Sequence, residues 1–380
     1  MRALAPRHIL ALALLGFGLA ACQAIAGIEE RKLDPEAEDP NQPDASKQCQ
    51  SYCESVMDAC IGDNAVYTSA EHCLRVCSKL DPGDPNEPVG NTVACRARQA
   101  QIAKVSEPEE TCRSAGPGGD GECGTDCEAY CTLYPQICPD QYLYESEESC
   151  LKACSGLAEQ HRYNLMDDHG GDTIECRLVH TASATVLPEE HCKHAPIPPS
   201  DMWCVPPPTE APTCEQYCKI EQAACDGANA QYESDQQCLD VCKAFEPGKN
   251  SDTTQNTVGC RRYHSFNSTL GAENHCPHAG PTGDGHCGDP SLVSTGHTGN
   301  CESYCTLVRF ACPTEFNTVL KSAADCMDTC VGLEEADKES KYTVASAKKS
   351  KALKCRVLHA ARAIADDTNC DAAVGGDPCN

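Results

Sequence analysis

Large apolar side chains are scarce in this 380-residue chain: aromatic residues make up 5% of it and there is a single tryptophan, Trp203. An ordinary hydrocarbon core is hard to build from such a sequence, so something else must hold the fold. Positive charge is also short, with 30 lysines and arginines against 57 acidic residues and a formal net charge of -27. A field of that sign repels phosphate, which argues against nucleic acid and against direct adsorption to anionic membranes. Chemistry-bearing motifs are missing as well. No HExxH, nucleophile elbow, phosphate-cradling glycine loop or dinucleotide fingerprint occurs, and no CxxCH for covalent haem. The expectation is a protein that is not an enzyme and carries no organic cofactor. Acidic pairs such as Glu109-Glu110 and Glu189-Glu190 read as solvated helix starts, because acid-base catalysis needs burial that nothing around them suggests.

Cysteine is what the chain has instead: 33 of them, the density of a disulfide scaffold made in an oxidising compartment. The N-terminus agrees. Residues 1–22, MRALAPRHILALALLGFGLAAC, carry a basic start (Arg2, Arg7) and an apolar run too short to span a bilayer, which predicts a signal peptide over 1–21. The ending Leu19-Ala20-Ala21-Cys22 resembles the lipobox of bacterial lipoproteins, and the resemblance implies cleavage before Cys22 and acylation of that residue. Residues 22–48 then form a lipidated cysteine and an acidic tether with little to bury. The localisation expected is the cell envelope, anchored to the outer membrane by lipid.

The other 32 cysteines fall into four sets of eight, giving repeats over 49–124, 127–204, 214–288 and 301–380. Each set opens with CxxxC and a third cysteine seven positions on, as in CQSYCESVMDAC and CESYCTLVRFAC, and a tyrosine (Tyr52, Tyr130, Tyr217, Tyr304) precedes the second cysteine every time. A second CxxxC follows, then a lone cysteine before arginine, then two closing cysteines. Cysteines four apart share one helical face, so two CxxxC helices lying antiparallel face each other in register. This predicts an all-α, disulfide-rich fold: four small modules, each a cross-linked helical hairpin, a third helix and a closing loop. In the first module the expected bridges are Cys49 to Cys77, Cys53 to Cys73, Cys60 to Cys95 and Cys112 to Cys123. The tyrosines are expected to anchor the hairpin seam.

Twin CxxxC hairpins resemble the small chaperones of the mitochondrial intermembrane space, over the first half of each unit. Over nearly the whole chain, with its NTxxCRxYH and HCPHAGPxGDGxCG segments, the sequence is similar to cysteine-rich repeat lipoproteins of myxobacterial type. That resemblance implies no known activity. The functional expectation is a lipid-anchored scaffold for an unidentified protein or glycan partner.

The stretch HCPHAGPTGDGHCG (275–288) sets a competing possibility. His264, His275, His278 and His286 in the third repeat, and His180, His191 and His194 at matching places in the second, suit copper, zinc or haem iron. The corresponding TCRSAGPGGDGECG of the first repeat keeps both cysteines and the turns but has no histidine, so the sequence favours structural histidines beside a bridge, with metal carriage by repeats two and three as the alternative.

Overall fold

The computed structural model describes residues 47–106, 108–157, 163, 165, 170–197, 203–206, 210–288, 299–337 and 340–380. The expected signal peptide, Cys22 and most of the expected tether lie outside them. Every described regular element is helical; paired backbone outside the helices is limited to isolated bridges such as Asp81 with Thr92. No helix among the described residues is long and apolar enough to cross a membrane.

The same arrangement recurs four times. In the first repeat α1 (Lys47–Ala59) and α2 (Ala70–Cys77) form the hairpin, followed by α3 (Val93–Ala103) and α4 (Pro108–Ala115). The second uses α5 (Asp126–Ile137), α6 (Glu147–Ser155), α7 (Ile174–Ser183) and α8 (Pro188–His191), and the third α9 (Cys214–Ala224), α10 (Asp235–Cys242), α11 (Val258–Ser268) and α12 (Ala272–Ala279). The fourth uses α13 (Gly299–Ala311), α14 (Ala323–Asp337), α15 (Leu353–Ala363) and α16 (Cys370–Ala373). Local chemistry starts these helices where the sequence suggests. The hydroxyl of Ser69, Ser146 or Ser234 caps the second helix of its repeat, and that of Thr92, Thr173 or Thr257 caps the third by accepting from a backbone N–H three residues on.

The fourth helix of each repeat is an element beyond the three expected. Its signals are nevertheless in the sequence: Pro108 and Pro188 sit at the first helical position, followed by the acidic pairs that favour a helix N-terminus.

That helix also explains a correction to the bridges. Cys49–Cys77 and Cys53–Cys73 cross-link the hairpin, with Cα separations of 5.7 and 5.8 Å. Cys60, however, bonds Cys112, and Cys95 bonds Cys123; the expected Cys60–Cys95 and Cys112–Cys123 bridges are absent. The reason is the direction of α3. Val93 N–H donates to Asp81 O just past the end of α2, which puts Cys95 at the same end of the module as Cys49. Cys60 lies at the other end of α1, about 16 Å away at 1.5 Å per residue, where the chain turns from α3 into α4 and presents Cys112. Numbering the eight cysteines in order, every repeat pairs first with fifth, second with fourth, third with seventh and sixth with eighth.

Two further devices lock α4 and its counterparts in place. Tyr52, Tyr130, Tyr217 and Tyr304 are fully buried, and their hydroxyls donate to the carbonyls of Ala115, Ala195, Ala279 and Ala373, each three residues past the seventh cysteine. The arginine after the sixth cysteine reaches the loop that follows. Arg96, with no exposed surface, donates to Gly116 O and Pro117 O, and Arg177 to Pro196 O and Cys204 O. In these loops Gly119 has φ +92°, and a Cβ there would stand 2.2 Å from Cys123 O, so the turn demands glycine.

The described residues belong to one compact unit. One apolar cluster runs through the first two repeats and takes in Ile220, Phe266 and Cys276 of the third; a second joins the rest of the third repeat to the fourth. Polar links, one buried and one near the surface, cross the same boundaries. Asp172 of the second repeat accepts from Arg177 at 2.7 Å and from Arg262 of the third repeat, while Glu233 of the third holds Arg362 of the fourth through two hydrogen bonds of 2.8 Å.

Candidate metal centres

The seven histidines singled out in the sequence come together in two groups, and with His286 set aside the three of each group stand at equivalent positions in repeats two and three. In each, the first histidine lies four residues past the sixth cysteine, on the third helix, and the other two flank the seventh cysteine. The first residue comes from α7 or α11 and the other two from the segment running through α8 or α12. The Cys138–Cys192 and Cys225–Cys276 bridges pin those segments.

In the second repeat His180 Nδ1 lies 3.0 Å from His191 Nδ1 and 3.3 Å from His194 Nδ1. His180 and His194 are buried and His191 half-buried, and the Trp203 ring stacks on His194 with centroids 5.0 Å apart. In the third repeat His264 Nδ1 lies 3.4 Å from His275 Nδ1. His278 and His286 join it: His264, His278 and His286 bring one ligand atom each within 4.8 Å of the others, and the His278 and His286 rings are 3.7 Å apart.

Burial sets the protonation of the third-repeat group. Desolvation lowers His264 to about 4 and, helped by neighbouring rings, His278 to about 3; it lowers His275 too. These imidazoles are neutral at pH 7, the form that offers a lone pair. Two polar groups orient them. Thr253 O lies 3.2 Å from His264 Nε2, and an Asp284 carboxylate oxygen lies 3.5 Å from His278 Nε2. His278 Nδ1 is buried with no hydrogen-bond partner among the described residues.

The same three positions are filled differently elsewhere. The fourth repeat has His359, Asn369 and Ala372, with His359 Nδ1 at 2.9 Å from Asn369 Oδ1. The first has Gln99, Thr111 and Ser114. His180, His264 and His359 each also lie beside the sixth-to-eighth disulfide of their repeat, within 4.8 Å of both sulfurs. Those sulfurs are bonded to each other, so the ligand chemistry rests with the imidazoles.

Three features carry no clear signal in the sequence. His72 of α2 is buried against the second repeat, where burial lowers it to about 4 and His191 adds to the shift; a lone histidine in a helix does not announce this. Glu221 of α9 is buried, with Ser265 Oγ donating to it at 2.7 Å. A cleft of 930 Å³ at the junction of repeats three and four is lined by Asp284, Glu334, Asp337, Lys341 and Lys354, so its walls come from distant parts of the chain. Its Asp284 wall is the carboxylate beside His278.

Comparison with known proteins adds a likeness of sequence. Two stretches, residues 24–127 and 209–290, match the BfoA family C-terminal domain. They cover just under half of the chain and correspond to the first and third repeats with their leading segments. Among curated proteins, the Aurasperone B biosynthesis cluster protein A of Aspergillus niger is 38% identical over 73 residues, 19% of this chain and 24% of that one. The Bifonsecin B biosynthesis cluster protein A of Aspergillus brasiliensis is 37% identical over 73 residues, 19% of this chain and 25% of its own. The chain thus spans about a quarter of the length of these relatives. No solved structure matches it significantly. Because the relatives are from Aspergillus, they lend nothing to a bacterial lipobox, which rests on residues 1–22 alone.

Proposed function

We propose that the chain is a non-enzymatic scaffold exported to an oxidising compartment, tethered to the cell envelope through acylated Cys22, and offering its stapled repeats to a protein or glycan partner. The observation that carries this reading is the repeated bridge pattern, which accounts for 32 cysteines. Such a molecule does not persist where thiols are kept reduced. The acidic surface keeps it off nucleic acid, and the N-terminal pattern supplies a route of export and an anchor. The relatives are named for biosynthesis clusters and not for a reaction, which is compatible with an accessory role.

Intact-mass measurement of the mature protein under non-reducing conditions tests it. The expected mass lies 32 hydrogens below that of the fully reduced chain, with an added acyl mass that a Cys22→Ser variant lacks. A chain with many free thiols would sink the scaffold, and a parent chain without the acyl mass would remove the anchor and leave the scaffold in place.

A further inference from the structure

We infer that repeats two and three each hold a divalent transition metal of the imidazole-binding kind, the second repeat through His180, His191 and His194 and the third through His264, His278 and His286, with His275 beside them. This goes beyond the scaffold reading and is independent of it.

Spacing is the first ground. A metal bound at about 2.0–2.1 Å by tetrahedral imidazole nitrogens places neighbouring nitrogens about 3.3 Å apart. In the second repeat the nitrogens stand at 3.0 and 3.3 Å before any ion is considered; in the third, His264, His278 and His286 bring theirs within 4.8 Å of one another, and His275 Nδ1 lies 3.4 Å from that of His264. Two Nδ1 atoms facing each other repel unless a proton or a cation lies between them, and in the second repeat His180 faces two such atoms at once.

The second ground is His278. Its Nδ1 is buried with no partner among the described residues, while its Nε2 faces the Asp284 carboxylate. A buried nitrogen without a partner is costly, and a metal ligand whose other ring nitrogen is oriented by a carboxylate is the usual arrangement around bound metal. Asp284 stands in a left-handed turn, φ +44°, which Asp120 of the first repeat shares at φ +47°. His264 is held likewise by Thr253 O.

The third ground is where the pattern stops. In the fourth repeat His359 faces Asn369, whose Oδ1 accepts from the ring nitrogen, so the imidazole is satisfied without an ion. The first repeat has no imidazole at these positions. The same scaffold thus folds four times with and without the histidines, so the triads are not required by the fold.

The two centres differ in closure. The third repeat has four imidazoles within reach, one of them exposed His286, and no free position is expected. The second has three, with Trp203 over one side, which leaves a fourth position for water or a small anion. Imidazole sets select Zn²⁺ and Cu²⁺ over Mg²⁺ and Ca²⁺.

The test is equilibrium dialysis of the full disulfide-bonded chain against Zn²⁺, Cu²⁺ or Mg²⁺, with bound metal counted by mass spectrometry. Two equivalents of Zn²⁺ or Cu²⁺ and none of Mg²⁺ are expected. His191→Ala and His278→Ala should each leave one, the double variant none, and His359→Ala two. Loaded with Co²⁺, the parent chain should show the intense visible bands of tetrahedral cobalt. Bridge count and far-ultraviolet dichroism confirm that each variant is folded; should His278→Ala fail that check, His275→Ala and His286→Ala together replace it. Less than one equivalent in the parent chain, or undiminished binding in the folded double variant, overturns the inference.

Discussion

At the scale of single residues, the interior buries several polar groups among its cystines and apolar side chains, and not all of them stabilise it. Glu221 is the clearest case. Burial pushes its carboxyl up to about 8, against the hydrogen bond from Ser265 and the nearby Arg261. A carboxyl with a raised folded-state pKa binds its proton more tightly in the fold, so its contribution favours folding below pH 4.5, weakens as pH rises, and is fully adverse above about 8. Glu221→Gln keeps an acceptor for Ser265 and removes the charge. In denaturant titrations the variant should match the parent near pH 4 and exceed it at pH 8.5 by up to about 5 kcal/mol, because each tenfold gain in proton affinity on folding corresponds to about 1.4 kcal/mol. An equal difference at both pH values would refute this. The histidines of the triads are visible in the sequence as residues but not as groups: His180 and His191 are 11 residues apart, and only the turn from α7 into α8 brings their nitrogens to 3.0 Å.

Among the elements, legibility follows the range of the interaction. CxxxC on two helices places both bridges of a hairpin because i and i+4 share a face whatever else the chain does. The caps at Ser69, Thr92 and Thr257 are equally local. The pairing of Cys60 with Cys112 is not legible, since it depends on α3 running from the Cys49 end of the module to the Cys60 end. Removing that bridge by Cys60→Ser with Cys112→Ser should leave the hairpin intact and lower stability by about 2–4 kcal/mol. Hydrogen exchange should show the opening concentrated in α4, which the bridge and Tyr52 fasten to α1. Opening spread evenly over α1 and α2 would contradict the role assigned to the third-to-seventh bridge.

For the molecule as a whole, the question is whether four modules behave as one. Apolar clusters cross every repeat boundary, and Asp172 joins Arg177 and Arg262 between the second and third repeats. Burial works against the Asp172 carboxylate, and the two guanidiniums outweigh it and hold its pKa below the ordinary value. Asp172→Ala leaves two buried arginines short of a partner, at a cost of about 3–5 kcal/mol. The expected readout by calorimetry is a single transition in the parent chain that separates into two in the variant. A parent that already melts in separate steps would show the modules to be independent.

The sequence by itself determined the all-helical class, the fourfold repetition and the hairpin bridges, because each is a matter of composition or of spacing within one or two turns of helix. The tertiary structure alone decided the two remaining bridges of each repeat, the fourth helix as a docked element, and the convergence of three imidazoles twice over. Those depend on the direction in which the third helix returns across the first. A direction of packing is a property of surfaces that meet across dozens of residues, and no local spacing encodes it.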